Sequence, residues 1–123
     1  MLTVGLDLVE ISRMEHSLQN ERFWQRVFGP AEQEELRRKA SPAESAAACF
    51  AAKEAFSKAL GTGVRGFSLC EVEVVHNALG APKFRLSGRA AALAAEQGLE
   101  FALSLTHTGG FAAAVVIAQT KNV

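Results

Sequence analysis

The stretch SPAESAAACFAAKEAFSKALG, residues 41–61, decides how this chain folds. Ser41, Pro42 and Glu44 match a capping box, in which serine caps the helix, proline takes the first helical position and glutamate takes the third. Gly61 stands where a residue in the left-handed conformation commonly ends a helix. The stretch therefore predicts one long helix that begins after Ser41 and ends at Leu60.

This long helix has two different faces. At about 100° per residue, small apolar side chains gather in one stripe that can pack closely against a sheet. The stripe consists of Ala48, Ala52, Ala55, Phe56 and Ala59. Glu54 lies nearly opposite, with Lys58 one turn later and Phe50 one turn before. The helix therefore presents a carboxylate and an ammonium group away from the predicted core.

Shorter elements flank the long helix on both sides. Upstream we expect a strand at residues 2–6, a helix at about 11–19, a bulky apolar cluster at 23–28 and a charged helix from Pro30 to about Lys39. Downstream we expect strands at 69–76 and 82–86, an alanine-rich helix from Ser87 to Gly98, and strands at 101–106 and 111–118. The last two strands are joined through Gly109-Gly110, a hairpin signal. This order predicts an α+β fold with a mostly antiparallel sheet packed against the long helix.

Composition narrows the function classes. The length of 123 residues predicts a single domain spanning 1–123. The 13 basic residues balance the 13 acidic ones, so no overall charge attracts nucleic acid or a membrane. No apolar run reaches the length of a spanning helix, and no signal peptide is visible. With only two cysteines, Cys49 and Cys70, we expect a reduced, cytoplasmic protein. Three scattered histidines make a zinc site improbable.

Glu54 and Lys58 have two interpretations. Side chains four residues apart on a helix commonly form a solvated ion pair worth about 0.3–0.5 kcal/mol. Alternatively, Glu54 is a metal ligand beside a phosphate contact, since Mg²⁺ takes one or two protein carboxylates and fills its other positions with water and phosphate. Asp7, which we place just past the first strand, is the natural second carboxylate. An aspartate there is also a common loop starter.

Two further segments are ambiguous by themselves. Gly61-Thr62-Gly63 follows a helix, whereas a phosphate loop precedes one, so spacing alone favours a helix cap and a turn. His107 ends a strand beside a glycine turn, where a histidine is ordinarily surface decoration but can also donate to a phosphate.

Taken together, these pieces resemble a known family, the holo-(acyl-carrier-protein) synthases, which are the small bacterial type of 4′-phosphopantetheinyl transferase. The resemblance rests on Val4-Gly5-Leu6-Asp7 with Glu10 and Arg13, on the block from Phe50 to Gly63, on Gly80-Ala81-Pro82, and on Ser104-Leu105-Thr106-His107-Thr108. These motifs occur in order and span nearly the whole chain. The Lys-Glu-Ala…Lys…Gly-Thr-Gly block with the early Gly-x-Asp is the most specific part.

The resemblance implies a role for each matching residue. Asp7 and Glu54 match the carboxylates that hold Mg²⁺ on the pyrophosphate of coenzyme A, and Lys58 matches the lysine that reaches those phosphates; Glu54 and Lys58 are thus the expected catalytic residues. The expected coenzyme A-binding residues are Lys58, Gly61, Gly63, Pro82, His107 and Thr108. Arg13 matches a basic position that docks the acidic carrier protein, and Met14, Ser17, Arg22 and Arg26 could extend that surface. The family implies a homotrimer with sites at subunit interfaces.

One position departs from the family pattern. Members often have a basic residue directly before the Phe-Ala-Ala-Lys-Glu block, where this chain has Cys49. A phosphate contact expected there is missing or comes from elsewhere, with Arg65 and Lys83 as the candidates.

The activity that the resemblance implies is a phosphoryl transfer. A serine of apo acyl carrier protein attacks coenzyme A, takes up 4′-phosphopantetheine and releases adenosine 3′,5′-bisphosphate, in support of fatty acid biosynthesis. Either Glu54 or a water oriented by a carboxylate accepts the serine proton. Two other classes stay open: a coenzyme A-binding module without catalysis, and an oligomerisation domain in which Glu54 and Lys58 form a mere ion pair.

Overall fold

The computed structural model describes residues 1–61 and 66–121 of the chain. They contain five strands, five α-helices and one short 3₁₀ turn. In chain order the elements are β1 Leu2–Glu10, α1 Ile11–Ser17, α2 Glu21–Val27, α3 Pro30–Arg37, α4 Ala43–Leu60, the 3₁₀ turn Leu69–Glu71, β2 Val72–His76, β3 Pro82–Leu86, α5 Gly88–Gln97, β4 Leu99–Thr108 and β5 Phe111–Thr120.

The strands form two antiparallel sheets. The larger has the order β1-β5-β4, and β2 pairs with β3 in the smaller one. A two-residue turn joins β4 to β5, and both of its residues have positive φ, 56° at Gly109 and 88° at Gly110. Glycine adopts such angles without a steric penalty, which explains the hairpin signal at this site. The predicted α+β class with a mostly antiparallel sheet is confirmed.

Helix α4 lies across the larger sheet and is buried almost all around, because it packs on β1 and β5 and also contacts β2. The closest approach is at Gly5 of β1, where an added Cβ would lie 1.9 Å from the backbone oxygen of Ala55. Thr3 of the same strand donates its hydroxyl to the oxygen of Ala59 at 2.7 Å. The alanine stripe therefore lets helix and strand meet at backbone distance, as predicted.

Several predicted boundaries differ from the structure. Strand β1 continues to Glu10, so the prediction that Asp7 follows the strand was wrong, and Asp7 pairs with Ala114 inside it. The predicted serine cap of α4 was also wrong, because Pro42 occupies the capping position and no side chain bonds to the first turn. Gly61 ends α4 with φ of 77°, which confirms the left-handed cap.

Other local expectations were incomplete. The predicted apolar cluster at 23–28 lies largely within a helix, α2, which Asn20 caps by accepting a hydrogen bond from the backbone N–H of Arg22 at 2.9 Å. The strand expected from Leu69 begins only at Val72, because a 3₁₀ turn precedes it. Ser87 precedes α5 as predicted, but its side chain makes no capping hydrogen bond.

The outer face of the larger sheet is apolar and uncovered in the single chain. Side chains that alternate along β1 and β5 project from it while the intervening ones face α4. The exposed apolar residues of this face are Leu2, Val4, Leu6 and Leu8 of β1 and Phe111 and Ile117 of β5. Val4 pairs directly with Ile117, so the patch is continuous across the two strands. We call it the apolar sheet face.

Candidate active site

Asp7 and Glu54 line one cavity of about 520 Å³. β1 supplies Asp7 and α4 supplies Glu54, and the close packing at Gly5 brings these two elements together. Glu10 of β1 lines the same cavity. The structure thus unites the two carboxylates that the sequence motifs singled out.

The environment of Glu54 disfavours its charged form. Partial burial raises the pKa of this carboxyl above its ordinary range, and the negative charge of Asp7 raises it further, against a partial opposing effect of Lys58. No hydrogen bond from residues 1–61 or 66–121 holds the Glu54 carboxylate. Two acidic side chains that lie together in a partly desolvated place are typical of a functional site and not of a contact that stabilises the fold.

Lys58 pairs with Asp7 rather than with Glu54. Its Nζ donates to Oδ1 of Asp7 at 3.1 Å and to the backbone oxygen of Leu6 at 2.8 Å. About half of the Lys58 side chain stays exposed, so the ammonium group borders the carboxylate pair and still reaches solvent. Glu54 and Lys58 therefore do not form the simple ion pair that was one interpretation of their spacing.

The rest of the cavity wall combines apolar and polar groups from α1, α2, α4 and the strand ends. These are Leu8, Val9, Arg13, Met14, Ser17, Phe23, Phe50 and Phe111. Arg13 is exposed, whereas Met14 is 3% exposed and belongs to the core. Of the residues considered for the predicted basic surface, Arg13, Met14 and Ser17 thus line the cavity of the two carboxylates, whereas Arg22 and Arg26 do not.

His107 lies at a second cavity of about 570 Å³, which shares no lining residue with the first. Its Nδ1 lies 2.8 Å from Oε2 of Glu44. Cys49, Arg38 and Lys39 also line this cavity. Burial raises the pKa of the Cys49 thiol to about 12, so this side chain carries no charge at neutral pH.

The remaining predicted coenzyme A contacts are spread over three places. Gly61 is the exposed cap of α4, Pro82 begins β3, and Thr108 ends β4. Gly63 lies outside the described residues, as does Arg65, one of the candidates for the missing basic contact. Lys83, the other candidate, is exposed on β3. One chain thus brings Asp7, Glu54, Lys58 and Arg13 together but not His107.

The carboxylate pair has the chemistry of a Mg²⁺ site. Both side chains offer hard oxygen ligands, and Mg²⁺ commonly uses only one or two protein carboxylates. Partial burial, and after it the negative charge of Asp7, raises the pKa of Glu54, and a divalent cation bound between the two carboxylates would offset both effects. Among residues 1–61 and 66–121, no cluster of three or more acidic, histidine or cysteine ligands forms a metal site. The donor set therefore fits a cation that completes its shell with water and substrate.

Comparison with known proteins identifies the family. Residues 3–116 match the model of the 4′-phosphopantetheinyl transferase superfamily. The chain belongs to this superfamily. A relative from Trichlorobacter lovleyi, named holo-[acyl-carrier-protein] synthase, is 50% identical over 123 residues, which cover 97% of this chain and 98% of the relative.

Solved structures agree with this assignment to the transferase superfamily. The holo-[acyl-carrier-protein] synthase of Neisseria meningitidis superposes with a TM-score of 0.89 at 33% identity, covering 96% of this chain and 98% of that one. The synthase from Chronobacterium ammoniagenes, solved as a coenzyme A complex, superposes with a TM-score of 0.85 at 31% identity and 99% coverage of both chains. The resemblance drawn from the sequence motifs is confirmed, and the chain is a transferase of this type.

The sequence motifs missed the surroundings of Lys53. This lysine precedes Glu54 in the same block, yet its side chain is fully buried and pairs with Glu32 of α3 at 2.6 Å. A lysine on a helix usually keeps its charged end in solvent, and no motif marks this one as buried. The remaining signal was that the alanines of α4 fall on more than one side of the helix, which indicates a helix covered on more than one side.

Proposed function

We propose that this protein transfers 4′-phosphopantetheine from coenzyme A to a serine of apo acyl carrier protein and releases adenosine 3′,5′-bisphosphate. The observation that supports this most is the half-buried Glu54 beside Asp7, with Lys58 bound to Asp7, on a chain of the transferase superfamily. In this proposal the holo carrier protein that the enzyme makes serves fatty acid biosynthesis. Both cysteines are unpaired, which fits the reducing cytoplasm.

Phosphoryl transfer asks a protein mainly for positioning and for charge stabilisation. Asp7 and Glu54 would hold Mg²⁺, which when bound neutralises the pyrophosphate and the leaving oxygen. Lys58 supplies a second positive charge at the same place, and its exposed ammonium group can turn from Asp7 and Leu6 toward a phosphate oxygen. These three side chains are the proposed catalytic and metal-binding set.

The serine must lose a proton as it attacks. Glu54 lines the cavity that the serine would enter and is the proposed acceptor. Glu54 acts either directly or through a water that it orients. Both routes require the carboxylate form, so both are lost in Glu54→Gln.

The carrier protein docks beside α1 in this proposal. Arg13 is exposed at the rim of the carboxylate cavity, where it can pair with an acidic helix of the carrier. Reversing its charge in Arg13→Glu should raise KM for the carrier about tenfold or more and leave kcat at saturating carrier nearly unchanged. Steady-state kinetics with varied carrier tests this, and Arg89→Glu on the distant α5 is the matched control.

Two copies of the chain complete each site in this proposal. The carboxylate cavity and the His107 cavity share no lining residue, although both hold residues carried over from the family. The apolar sheet face offers a surface for self-association, since an exposed hydrophobic patch commonly marks an interface. We propose a homotrimer in which one subunit supplies Asp7, Glu54 and Lys58, and a neighbour supplies His107 and Thr108.

Intact-protein mass spectrometry tests the reaction directly. We expect an apo acyl carrier protein incubated with the enzyme, coenzyme A and Mg²⁺ to gain the mass of phosphopantetheine. The gain should disappear with EDTA and with Glu54→Gln, and persist with Glu96→Gln, an exposed position on α5. No gain with any of several carriers, despite Mg²⁺-dependent binding of coenzyme A, would indicate a binding module without catalysis. No binding of coenzyme A at all would indicate an oligomerisation domain.

A further inference from the structure

Lys53 carries a charge in the fully buried interior, beside the site but not in it. Its Nζ donates to Oε1 of Glu32 at 2.6 Å, to the backbone oxygen of Val72 at 2.6 Å and to that of Leu69 at 3.1 Å. An ammonium group has three donors, so all of them are used. The acceptors come from three segments: α3, the 3₁₀ turn and β2.

Glu32 is held just as firmly as Lys53. Its Oε1 also accepts from the backbone N–H of Gly29 at 3.1 Å, and its Oε2 accepts from that of Val74 at 2.8 Å. Its own backbone N–H donates to Oε2 of Glu73 at 3.0 Å. Both carboxylate oxygens of Glu32 and all three donors of Lys53 therefore have partners, and the network ties α4 to α3 and β2.

Stability alone does not account for such a pair. Desolvation of two charges offsets most of their attraction, so apolar residues of similar volume are commonly as stable or more stable at such positions. The pair does, however, make the energy of the fold depend steeply on where the Nζ atom lies relative to its acceptors. A rotation of α4 about its axis would pull Nζ away from its three acceptors and leave a buried charge without partners, which is strongly unfavourable.

The rotation of α4 is also what aims Glu54. Glu54 follows Lys53 by one residue and therefore projects about 100° further around the helix, toward Asp7. No hydrogen bond within the described part of the chain holds its carboxylate, so the helix backbone alone directs it. On the other side of α4, the contact of Gly5 with Ala55 sets the distance between helix and strand.

We propose that Lys53 is a positioning residue, whose buried contacts with Glu32, Val72 and Leu69 fix the rotation of α4 and so hold Glu54 against Asp7 for cation binding. This inference rests on the proposed function of the Asp7–Glu54 pair. Lys53 itself touches neither substrate nor metal. Its contribution is to the affinity of the site and to kcat rather than to binding of the carrier.

The test measures binding of Mn²⁺, a cation that carboxylates also bind and whose free form is counted by electron paramagnetic resonance. The variant is Lys53→Met/Glu32→Gln, which removes both charges and keeps an amide oxygen for the N–H of Val74. In the presence of coenzyme A and without carrier, we expect its Kd for Mn²⁺ to rise about tenfold or more, as for other residues that orient metal ligands. In turnover assays, kcat should fall similarly while KM for the carrier stays within about twofold.

Two reference proteins isolate the positioning effect. Glu54→Gln defines the loss when a ligand itself is removed. Leu99→Ala, a truncation of a buried residue at the start of β4, destabilises the core and replaces none of the residues that contact Lys53. We expect Leu99→Ala to keep the parent Kd for Mn²⁺. If the Met/Gln variant does not fold, Lys53→Leu/Glu32→Gln, which also removes the three contacts of Nζ, is judged by the same measurements.

A folded variant with the parent's Kd for Mn²⁺ and the parent's kcat would overturn the proposal and make Lys53 a simple core ion pair. An equal loss of Mn²⁺ affinity in Leu99→Ala would also overturn it, because general destabilisation would then explain the effect. A parent that binds Mn²⁺ but transfers nothing would refute the proposed function while the Mn²⁺ comparison still tests the positioning role. A parent that binds no Mn²⁺ would refute both.

Discussion

At the scale of single residues, Glu54 is held where its charge destabilises the fold. Partial burial and the nearby Asp7 both raise its pKa, and no hydrogen bond within the described residues compensates. The protonated form is consequently favoured in the folded state relative to the unfolded chain. Stability from this group is present below the ordinary carboxyl pKa and is lost as pH rises through the higher pKa of the folded state.

Removing this charge should stabilise the protein. In buffer without divalent cations at pH 7, we expect Glu54→Gln to raise Tm by a few degrees, because the neutral amide escapes the repulsion by Asp7. The gain should shrink as pH falls toward the ordinary range of glutamate, where the parent is protonated too. Differential scanning calorimetry at pH 7 and pH 4 checks this, and a Glu54→Gln variant less stable at pH 7 would contradict it.

Lys58 is expected to act on the reaction rather than on the fold. Its ion pair with Asp7 is about half exposed, so the loss of that pair should cost less than about 1 kcal/mol of stability. We expect Lys58→Met to lower kcat about 10²-fold, the usual cost of removing one donor that stabilises transition-state charge. Urea denaturation and steady-state kinetics on the same sample separate the two effects. An equal loss in Arg37→Met, which breaks an exposed pair with Glu21, would speak against this role.

At the scale of elements, the packing of α4 on β1 decides where the carboxylates meet. Gly5 is needed there for space, since its φ lies outside the left-handed region and the Ala55 oxygen occupies the place of a Cβ. Gly98, which caps α5 with φ of 63° and nothing nearby, is needed for its conformation instead. The two glycines thus offer a comparison between crowding and backbone strain.

We expect Gly5→Ala to destabilise the fold by about 3 kcal/mol, because the helix must move away from the strand. It should also lower kcat at least about tenfold, since Glu54 moves with the helix. Gly98→Ala should cost about 1 kcal/mol and leave kcat unchanged. Chemical denaturation and kinetics of both variants check this. Parent-like activity in a folded Gly5→Ala would show that the carboxylate spacing tolerates a shift of α4.

Some features of the elements could be predicted from the sequence and others could not. The alanine stripe and Gly61 determine where α4 packs and ends, since both are local patterns. The continuation of β1 past Leu6 was missed because aspartate is uncommon in strands, and the pairing of Asp7 with Ala114 outweighs that preference. The environment of Lys53 could not be predicted from the sequence for another reason. Its acceptors on Glu32, Leu69 and Val72 come from segments that only tertiary folding brings together.

At the scale of the whole molecule, the single chain leaves two features incomplete. The apolar sheet face is uncovered, and His107 lies at a different cavity from Asp7, Glu54 and Arg13. Association through the apolar face would account for both, because a neighbouring copy then supplies what each site lacks. That residues 1–123 form a single domain stays a prediction, as does the trimer. The family motifs in the sequence indicate the catalytic residues but not which copy supplies them.

A mixing experiment tests whether sites are shared between copies. Glu54→Gln and His107→Ala should each be nearly inactive. If each site uses Glu54 of one subunit and His107 of the next, subunits of the two variants that are mixed and reassembled at random should recover about a quarter of the parent activity. Sites contained within one chain would recover none. Light scattering before and after mixing establishes the oligomeric state, and Leu6→Asp on the apolar sheet face should yield monomers.

The deep burial of Cys49 has a practical consequence for following the fold. Its side chain is 3% exposed and the pKa of its thiol is raised to about 12, whereas Cys70 is only partly covered. Alkylating reagents attack thiolates, so the native protein should react at Cys70 and spare Cys49. In denaturant both should react. Mass spectrometry that counts modified cysteines over time therefore measures how fast α4 opens, and it does not depend on any enzymatic assay.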